Sequence, residues 1–64
     1  MEAIFESVMG GTKRVVRGDP MYCKLDKDRV RFNKMIDSTS VEVADDRTGK
    51  VLPDYRHPSQ LVAY

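Results

Sequence analysis

Cysteine, histidine and tryptophan are almost missing from this sequence of 64 residues. Cys23 is the only cysteine, His57 is the only histidine, and tryptophan does not occur. One cysteine cannot form an intramolecular disulfide, and this pair of residues cannot supply the ligands of a structural zinc site. We therefore expect no metal and no cofactor.

Long apolar runs are also missing. No segment approaches the roughly 18 apolar residues of a membrane span, and the first residues lack the basic and then apolar plan of a signal peptide. We expect no association with membranes. A free cysteine without an export signal is typical of a reducing compartment, so the predicted location is cytoplasmic.

Groups suited to catalysis are equally scarce. His57 lies in Arg56-His57-Pro58, which is typical of a solvated turn, and Cys23 falls on the apolar side of a predicted strand. A buried thiol behaves as a small hydrophobe rather than as a nucleophile. The sequence therefore predicts a protein that is not an enzyme.

The length allows one small domain, residues 1–64. A chain this short buries only about 60% of the surface that its unfolded form exposes. Its 41% of hydrophobic and 33% of charged residues are ordinary for a globular protein. Because such a core supplies only about 3–5 kcal/mol, a homo-oligomer is left open as a source of further buried surface.

Turn signals divide the chain into short runs of Val, Ile, Phe and Tyr. This pattern predicts an all-β fold, a small barrel or sandwich of five to six short antiparallel strands. Gly10-Gly11 marks a first two-residue turn, between strands at Ala3 to Val8 and at Thr12 to Arg17. The alternative for residues 2–9 is a short N-terminal helix, whose apolar stripe consists of Ile4, Phe5, Val8 and Met9.

The segment MYCKLDKDRVRF predicts the clearest hairpin. With a two-residue turn at Lys27-Asp28, Leu25 faces Val30, and the other apolar residues also meet apolar partners. The same register places Lys24 opposite Arg31, which is a repulsive pair. An anionic ligand or a neighbouring acid would relieve that repulsion.

Further strands follow. Val41 and Val43 alternate with Glu42, and a loop closed by Gly49 returns the chain at Val51. A turn at Pro58 to Gln60 precedes a last strand, Leu61 to Tyr64. The predicted core is Ile4, Val15, Met21, Cys23, Leu25, Val30, Phe32, Ile36, Val41, Val43, Val51 and Leu61.

A Val-x-Phe strand, a Val-x-Val strand, the loop end Thr48-Gly49-Lys50, a returning valine and a terminal Leu-Val strand together resemble the SH3-like barrels. That group includes the KOW-type domains associated with ribosomes and polymerases. The resemblance covers about residues 28–64 and implies an SH3-like barrel. The chain has no ALYDY-like run and no tryptophan, so the grip of SH3 domains on proline-rich peptides is not implied.

Charge is unevenly placed on this chain, whose net charge is +1. Between Gly11 and Lys34 there are eight Lys/Arg against three Asp/Glu. Strand alternation places Tyr22 and several of these bases on one outward side. The predicted partner-binding residues, for protein or nucleic acid, are Lys13, Arg14, Arg17, Tyr22, Lys24, Arg29, Arg31, Asn33 and Lys34.

These features predict a macromolecular binding module. Basic and acidic regions on one near-neutral chain favour recognition of a mixed protein surface. The size suits a regulator, inhibitor or assembly factor of the kind that phages and mobile elements encode. The alternative is nucleic-acid binding through the basic strand face, with an aromatic ring stacked on bases and Lys/Arg along the phosphates.

Overall fold

The computed structural model describes residues 2–64, and these residues form an all-β fold of two antiparallel sheets. Its elements are β1 (Glu2–Glu6), β2 (Thr12–Val16), β3 (Pro20–Cys23), β4 (Asp28–Asp37), β5 (Ser40–Asp45), a 3-10 helix (Pro58–Gln60) and β6 (Leu61–Ala63). β1 and β2 form a hairpin, and the other strands form a sheet in the order β5-β4-β3-β6. Within the described residues, no helix is long and apolar enough to cross a membrane.

The first segment is a strand and not a helix. β1 pairs with β2, and Glu6 opposite Thr12 is the last pair before the loop. The loop runs from Ser7 to Gly11, so the predicted two-residue turn is wrong. Gly10 and Gly11 have φ angles of 94° and 71°, in the left-handed region that glycine adopts without steric cost. The glycines therefore close a five-residue loop.

The β3–β4 hairpin also has a longer loop than the sequence predicts. Cys23 is the last paired residue of β3, and residues 24–27 form the loop. The predicted repulsion between Lys24 and Arg31 is wrong, because Arg31 lies opposite Pro20. The observed register differs from the predicted one by an even number of residues, so the same strand side chains still point inward.

Contacts from far along the chain hold this loop. The Arg56 guanidinium donates to Asp26 Oδ2 from Nε at 3.0 Å and from Nη2 at 2.8 Å. The backbone N–H of Lys24 donates to the carbonyl of Gln60 at 2.7 Å. Leu25, a predicted core residue, is 62% exposed in this loop. A pattern local to the hairpin contains none of these contacts, which explains the error in register.

Backbone hydrogen bonds connect the two sheets. The N–H of Val8 donates to the carbonyl of Ala63 at 2.8 Å, which brings the end of β1 alongside β6. The N–H of Gly18 donates to the carbonyl of Phe32, also at 2.8 Å. β6 is paired on both sides, with β3 and with Ser7. The predicted terminal strand is thereby confirmed over Leu61–Ala63, and Tyr64 lies beyond its end.

Both sheets contribute to the core. Phe5 of the hairpin packs edge to face on Phe32 of β4, with ring centroids 5.7 Å apart. The buried hydrophobic residues are Phe5, Val15, Met21, Cys23, Val30, Phe32, Val41, Val43, Ala44, Leu61 and Ala63. Phe5, Ala44 and Ala63 are absent from the predicted core, and Ile4, Leu25, Ile36 and Val51 of that core are exposed.

Two of these errors are shifts by one residue. Ile4 is 63% exposed because its neighbour Phe5 faces inward, and alternate residues of a strand point to opposite sides. Val51 is 46% exposed, whereas Leu52 packs against the core and donates its N–H to the carbonyl of Val43 at 2.9 Å.

An irregularity in β4 accounts for Ile36. The pairing of β4 with β5 changes register between Phe32 and Lys34. A bulge of this kind adds one residue to a strand and reverses the alternation beyond it. The next inward residue after Phe32 is therefore Met35, which packs against the core, and Ile36 is 38% exposed.

Candidate binding face

The outer side of the four-stranded sheet brings several predicted site residues together. Tyr22 of β3 lies opposite Arg29 of β4 and, on its other side, opposite Val62 of β6. Arg31 lies two residues beyond Arg29 and opposite Pro20, so it points to the same side. We call this surface the outer face and define it as Pro20, Tyr22, Arg29, Arg31, Asp46, Val62 and Tyr64.

Tyr64 belongs to this face although the sequence analysis does not predict it. The Arg29 guanidinium carbon lies 5.3 Å from the centre of the Tyr64 ring, which is a cation–π contact. Lys13 Nζ donates to the backbone oxygen of Tyr64 at 2.5 Å. The sequence signal for Tyr64 is its spacing of two residues from Val62, which places both on the same side of a strand. This signal identifies the outer face only once β6 is known to pair with β3.

Asp46 lies between the two arginines of the outer face. Its Oδ1 is 3.2 Å from Arg31 Nε, and its Oδ2 is 3.6 Å from Arg29 Nε. Oδ1 is shielded from solvent and has no hydrogen bond of good geometry within residues 2–64, so its contact with Arg31 is an ion pair. Asp46 is thus an acid shared by the two arginines, and it compensates one of their two positive charges.

A second acid lies where the face meets the β4 bulge. Asn33 Nδ2 donates to the Glu42 carboxylate, and Lys34 lies opposite Glu42 across the two strands. Arg17 Nε donates to the backbone oxygen of Asn33 at 3.4 Å. Basic and acidic side chains are therefore mixed at this border, and the surface is not uniformly basic.

Two predicted site residues lie away from the outer face. Lys24 is in the β3–β4 loop. Arg14 lies opposite Ile4 in the β1–β2 hairpin, on the side away from Phe5. The predicted set therefore falls into three groups. The residues on the face are Tyr22, Arg29 and Arg31. Those at its borders are Lys13, Arg17, Asn33 and Lys34, and Arg14 and Lys24 lie elsewhere.

The residues best suited to catalysis have structural positions. Cys23 is fully buried in the core. His57 begins the 3-10 helix: its Nδ1 accepts from the backbone N–H of Ser59 at 3.1 Å, and its own N–H donates to Gln60 Oε1 at 3.0 Å. The Ser59 hydroxyl, 2.8 Å from the same Nδ1, belongs to this cap.

Neither a pocket nor a metal cluster is found in the part of the chain that the structure describes. The surface of residues 2–64 contains no pocket. Over the same residues, no three side chains of His, Cys, Asp or Glu form a group that could hold a metal ion. Over these residues the outer face is therefore an open sheet surface rather than a cleft.

Two carboxylates outside the face have lowered pKa values. The backbone N–H groups of Thr48 and Arg47 donate to Asp45 Oδ1 at 3.0 and 2.8 Å, and they lower the pKa of Asp45. The backbone N–H and the hydroxyl of Thr39 donate to Asp37 Oδ1 at 2.9 and 3.0 Å, and these hydrogen bonds lower the pKa of Asp37. Both acids close loops beside β5, which is a structural role.

No protein-family model matches the sequence, and the comparisons with curated proteins and with solved structures find no similar protein. The function is therefore inferred from the residues of the outer face.

Proposed function

We propose that this protein is a non-enzymatic binding module that recognises another protein through the outer face. The observation that carries the proposal is the grouping of Tyr22, Tyr64 and two arginines on one side of a sheet. Tyrosine and arginine are the residue types that, with tryptophan, dominate binding energy at protein interfaces. The proposed role is that of a regulator, inhibitor or assembly factor, which suits a small chain that binds without catalysis.

The positions of Cys23 and His57 support a role without catalysis. The thiol of Cys23 is buried among apolar side chains, where it packs as a small hydrophobe. The Nδ1 atom of His57 is engaged in a helix cap. Core packing therefore explains the presence of Cys23, and helix capping explains that of His57.

Charge compensation favours protein over nucleic acid. Arg29 and Arg31 share Asp46, so these three side chains carry one net positive charge. A nucleic acid presents a phosphate every few ångströms, and it is bound by several Lys or Arg side chains whose charge no acid compensates. A mixture of charges with tyrosines instead suits a protein surface of mixed character.

Nucleic-acid binding is the second candidate, and one observation favours it. Tyr64 joins Tyr22 on the outer face, so two aromatic rings are available for stacking on bases. Lys13 and Arg17 at the border would lie along the backbone of a bound strand. A fluorescence-anisotropy titration with labelled single-stranded and duplex oligonucleotides at low and moderate salt tests this candidate. Tight binding that weakens steeply with salt would replace the protein-binding proposal.

We also propose that the fold is an SH3-like barrel. The hydrogen bonds from Val8 to Ala63 and from Gly18 to Phe32 support it, because they extend the hairpin onto both β6 and β4. Small barrels of this type use a strand face for binding. We further propose a cytoplasmic location, which suits the free thiol of Cys23, and self-association as a homo-oligomer.

The test of protein binding compares one double variant with one control variant. The double variant Tyr22→Ser/Tyr64→Ser removes both rings of the outer face. Tyr55→Ser removes a 52% exposed ring from the segment beyond β5 and serves as the control. Each protein is immobilised and exposed to nuclease-treated extract of its source cells, and any retained protein is purified and titrated by calorimetry. We expect binding that the double variant loses and the control keeps. Equal binding by both variants, or retention only without nuclease, would contradict the proposal.

A further inference from the structure

The two arginines of the outer face are held to different extents. Arg31 is fixed at two points: its Nε lies 3.2 Å from Asp46, and its Nη1 donates to the carbonyl of Gly18 at 2.7 Å. Within residues 2–64, the Arg29 side chain has only the longer contact of 3.6 Å from Nε to Asp46 and the contact with the ring of Tyr64. Within residues 2–64, no hydrogen bond uses the two terminal nitrogens of Arg29. Its side chain is 49% exposed, so it is open to an approaching group.

The surroundings of Arg29 restrict its orientation. The Tyr64 ring lies 5.3 Å from its guanidinium carbon, and Asp46 lies beside its Nε. Tyr22 lies directly across the strand pair. A guanidinium held by Nε and by a ring presents its two terminal nitrogens as a planar pair of donors, which matches the two oxygens of a carboxylate.

Net charge indicates how many anionic groups this position can take. Asp46 compensates one of the two arginines, so one net positive charge remains among these three side chains. The site therefore complements a single negative charge between apolar neighbours rather than a chain of phosphates. An exposed Asp or Glu side chain of a protein has this chemistry.

We infer that Arg29 is the specificity-determining residue of the outer face and binds one carboxylate side chain of a protein partner through its two terminal nitrogens. The partner segment is acidic at this position and apolar on either side, where it contacts Tyr22 and Tyr64. Arg31 positions Asp46 and does not contact the partner's carboxylate. This inference depends on the proposed protein-binding function and adds the chemistry of the partner.

The test is a nuclear magnetic resonance titration of the full chain labelled with ¹⁵N and ¹³C. The probe is the capped peptide Gly-Thr-Tyr-Glu-Val-Thr-Gly, and its match has Gln in place of Glu. A single-stranded oligothymidine of the same length is the third probe. We expect the Glu peptide to shift the Arg29 Nε–H signal and the Tyr64 ring signals saturably, and the Gln peptide to bind at least about tenfold more weakly.

Variants separate charge from geometry. Arg29→Gln is expected to weaken binding of the Glu peptide at least about tenfold, and Arg29→Lys is expected not to restore it, because an ammonium lacks the planar pair of donors. Lys50→Gln removes the same charge from an exposed position whose neighbour across the β5 loop is Asp45, and it is expected to bind normally. Unchanged backbone spectra of all variants exclude an effect of misfolding.

The outcomes distinguish this inference from the function beneath it. Binding that shifts the tyrosines but survives Arg29→Gln, or that is equal for the Glu and Gln peptides, overturns the role of Arg29 and leaves protein binding standing. Restoration by Arg29→Lys overturns the carboxylate geometry. Tighter binding of the oligothymidine than of the Glu peptide overturns both proposals.

Discussion

Alternate residues of β3 and β4 form two surfaces that differ in exposure and in charge. The inward residues Met21, Cys23 and Val30 are at most 3% exposed. The outward side chains of Arg29 and Arg31 are 49% and 39% exposed, and they carry charge. The same backbone therefore supports a buried apolar core on one side and a charged, partly exposed surface on the other. Substitutions on the inner side should change stability, and those on the outer side should change binding.

The two surfaces also differ in the range of the contacts that assemble them. The inner side follows from alternation within each strand, which is local. The outer side depends on Asp46 and Tyr64, which lie outside β3 and β4 and reach the arginines only through the packing of β5 and β6. In this protein the outer face is therefore harder to infer from sequence than the core.

The largest expected effect is on the inner side. Phe32 is 1% exposed and packs on Phe5, so Phe32→Ala should lower the free energy of unfolding by about 3–5 kcal/mol. This is about the whole stability of a core of this size, and the variant should be largely unfolded. Urea denaturation followed by circular dichroism measures the change. Tyr64→Ala is the outer-side control and should unfold near the wild-type midpoint; equal losses would remove the distinction between the two sides.

Strand alternation is enough to predict much of the inner side. Val41 and Val43 of β5 and Val30 and Phe32 of β4 alternate with polar residues, and all four are buried as predicted. The turn at Gly49, with a φ of 75°, is also confirmed. These features depend on backbone geometry within a few residues, so a local pattern contains the information that determines them.

The errors occur where adjacent apolar residues compete or where the partner is distant. Ile4 and Phe5 are neighbours, and alternation alone does not say which one faces inward. The bulge in β4 reverses the pattern before Ile36, and its cause is the pairing with β5. The partner of Arg29 is Tyr64, a contact between residues far apart in the chain, so sequence analysis finds the arginine but not its aromatic neighbour.

An intermediate effect is expected at the ion pair that holds the β3–β4 loop. Burial acts to lower the pKa of Arg56, but hydrogen bonding and charge from Asp26 outweigh it and the pKa is raised. The Arg56 and Asp26 side chains are 11% and 32% exposed. Arg56→Gln should lower the free energy of unfolding by about 1–3 kcal/mol. The loss is smaller than for a fully buried ion pair because solvent screens Asp26. A thermal or urea melt measures the loss.

A double-mutant cycle shows whether that loss belongs to the pair. Asp26→Asn alone and the double variant Asp26→Asn/Arg56→Gln complete the cycle. We expect a coupling of at least about 0.5 kcal/mol, since the two side chains are in direct contact. Additive losses would mean that Arg56 acts through its other hydrogen bond, to the carbonyl of Asp54 at 2.6 Å.

A smaller effect on stability, with a clear effect on binding, is expected at Asp46. Asp46→Asn leaves Arg29 and Arg31 without their shared counter-charge, and the loss of a partly exposed ion pair should cost under about 1 kcal/mol. The outer face then carries one more net positive charge. Affinity for an oligonucleotide should therefore rise several-fold at low salt, as measured by fluorescence anisotropy. Asp54→Asn changes the net charge equally from an exposed loop; an equal rise in that control would show that Asp46 does not control the face.

The smallest expected effect is on the pH dependence of stability, at the end of β5. The pKa of Asp45 is lowered from its ordinary value of 3.8 by hydrogen bonds from Thr48 and Arg47. A carboxyl whose folded pKa lies below its unfolded value contributes stability above the unfolded value, and that contribution is lost as the pH falls through the folded value. Asn keeps an acceptor oxygen at this position but not the charge. Asp45→Asn should therefore be slightly less stable than the wild type at pH 7 and should approach it as the pH falls below 3.8. Urea midpoints across that range test this, and a difference that is constant with pH would show that the charge of Asp45 does not contribute to stability.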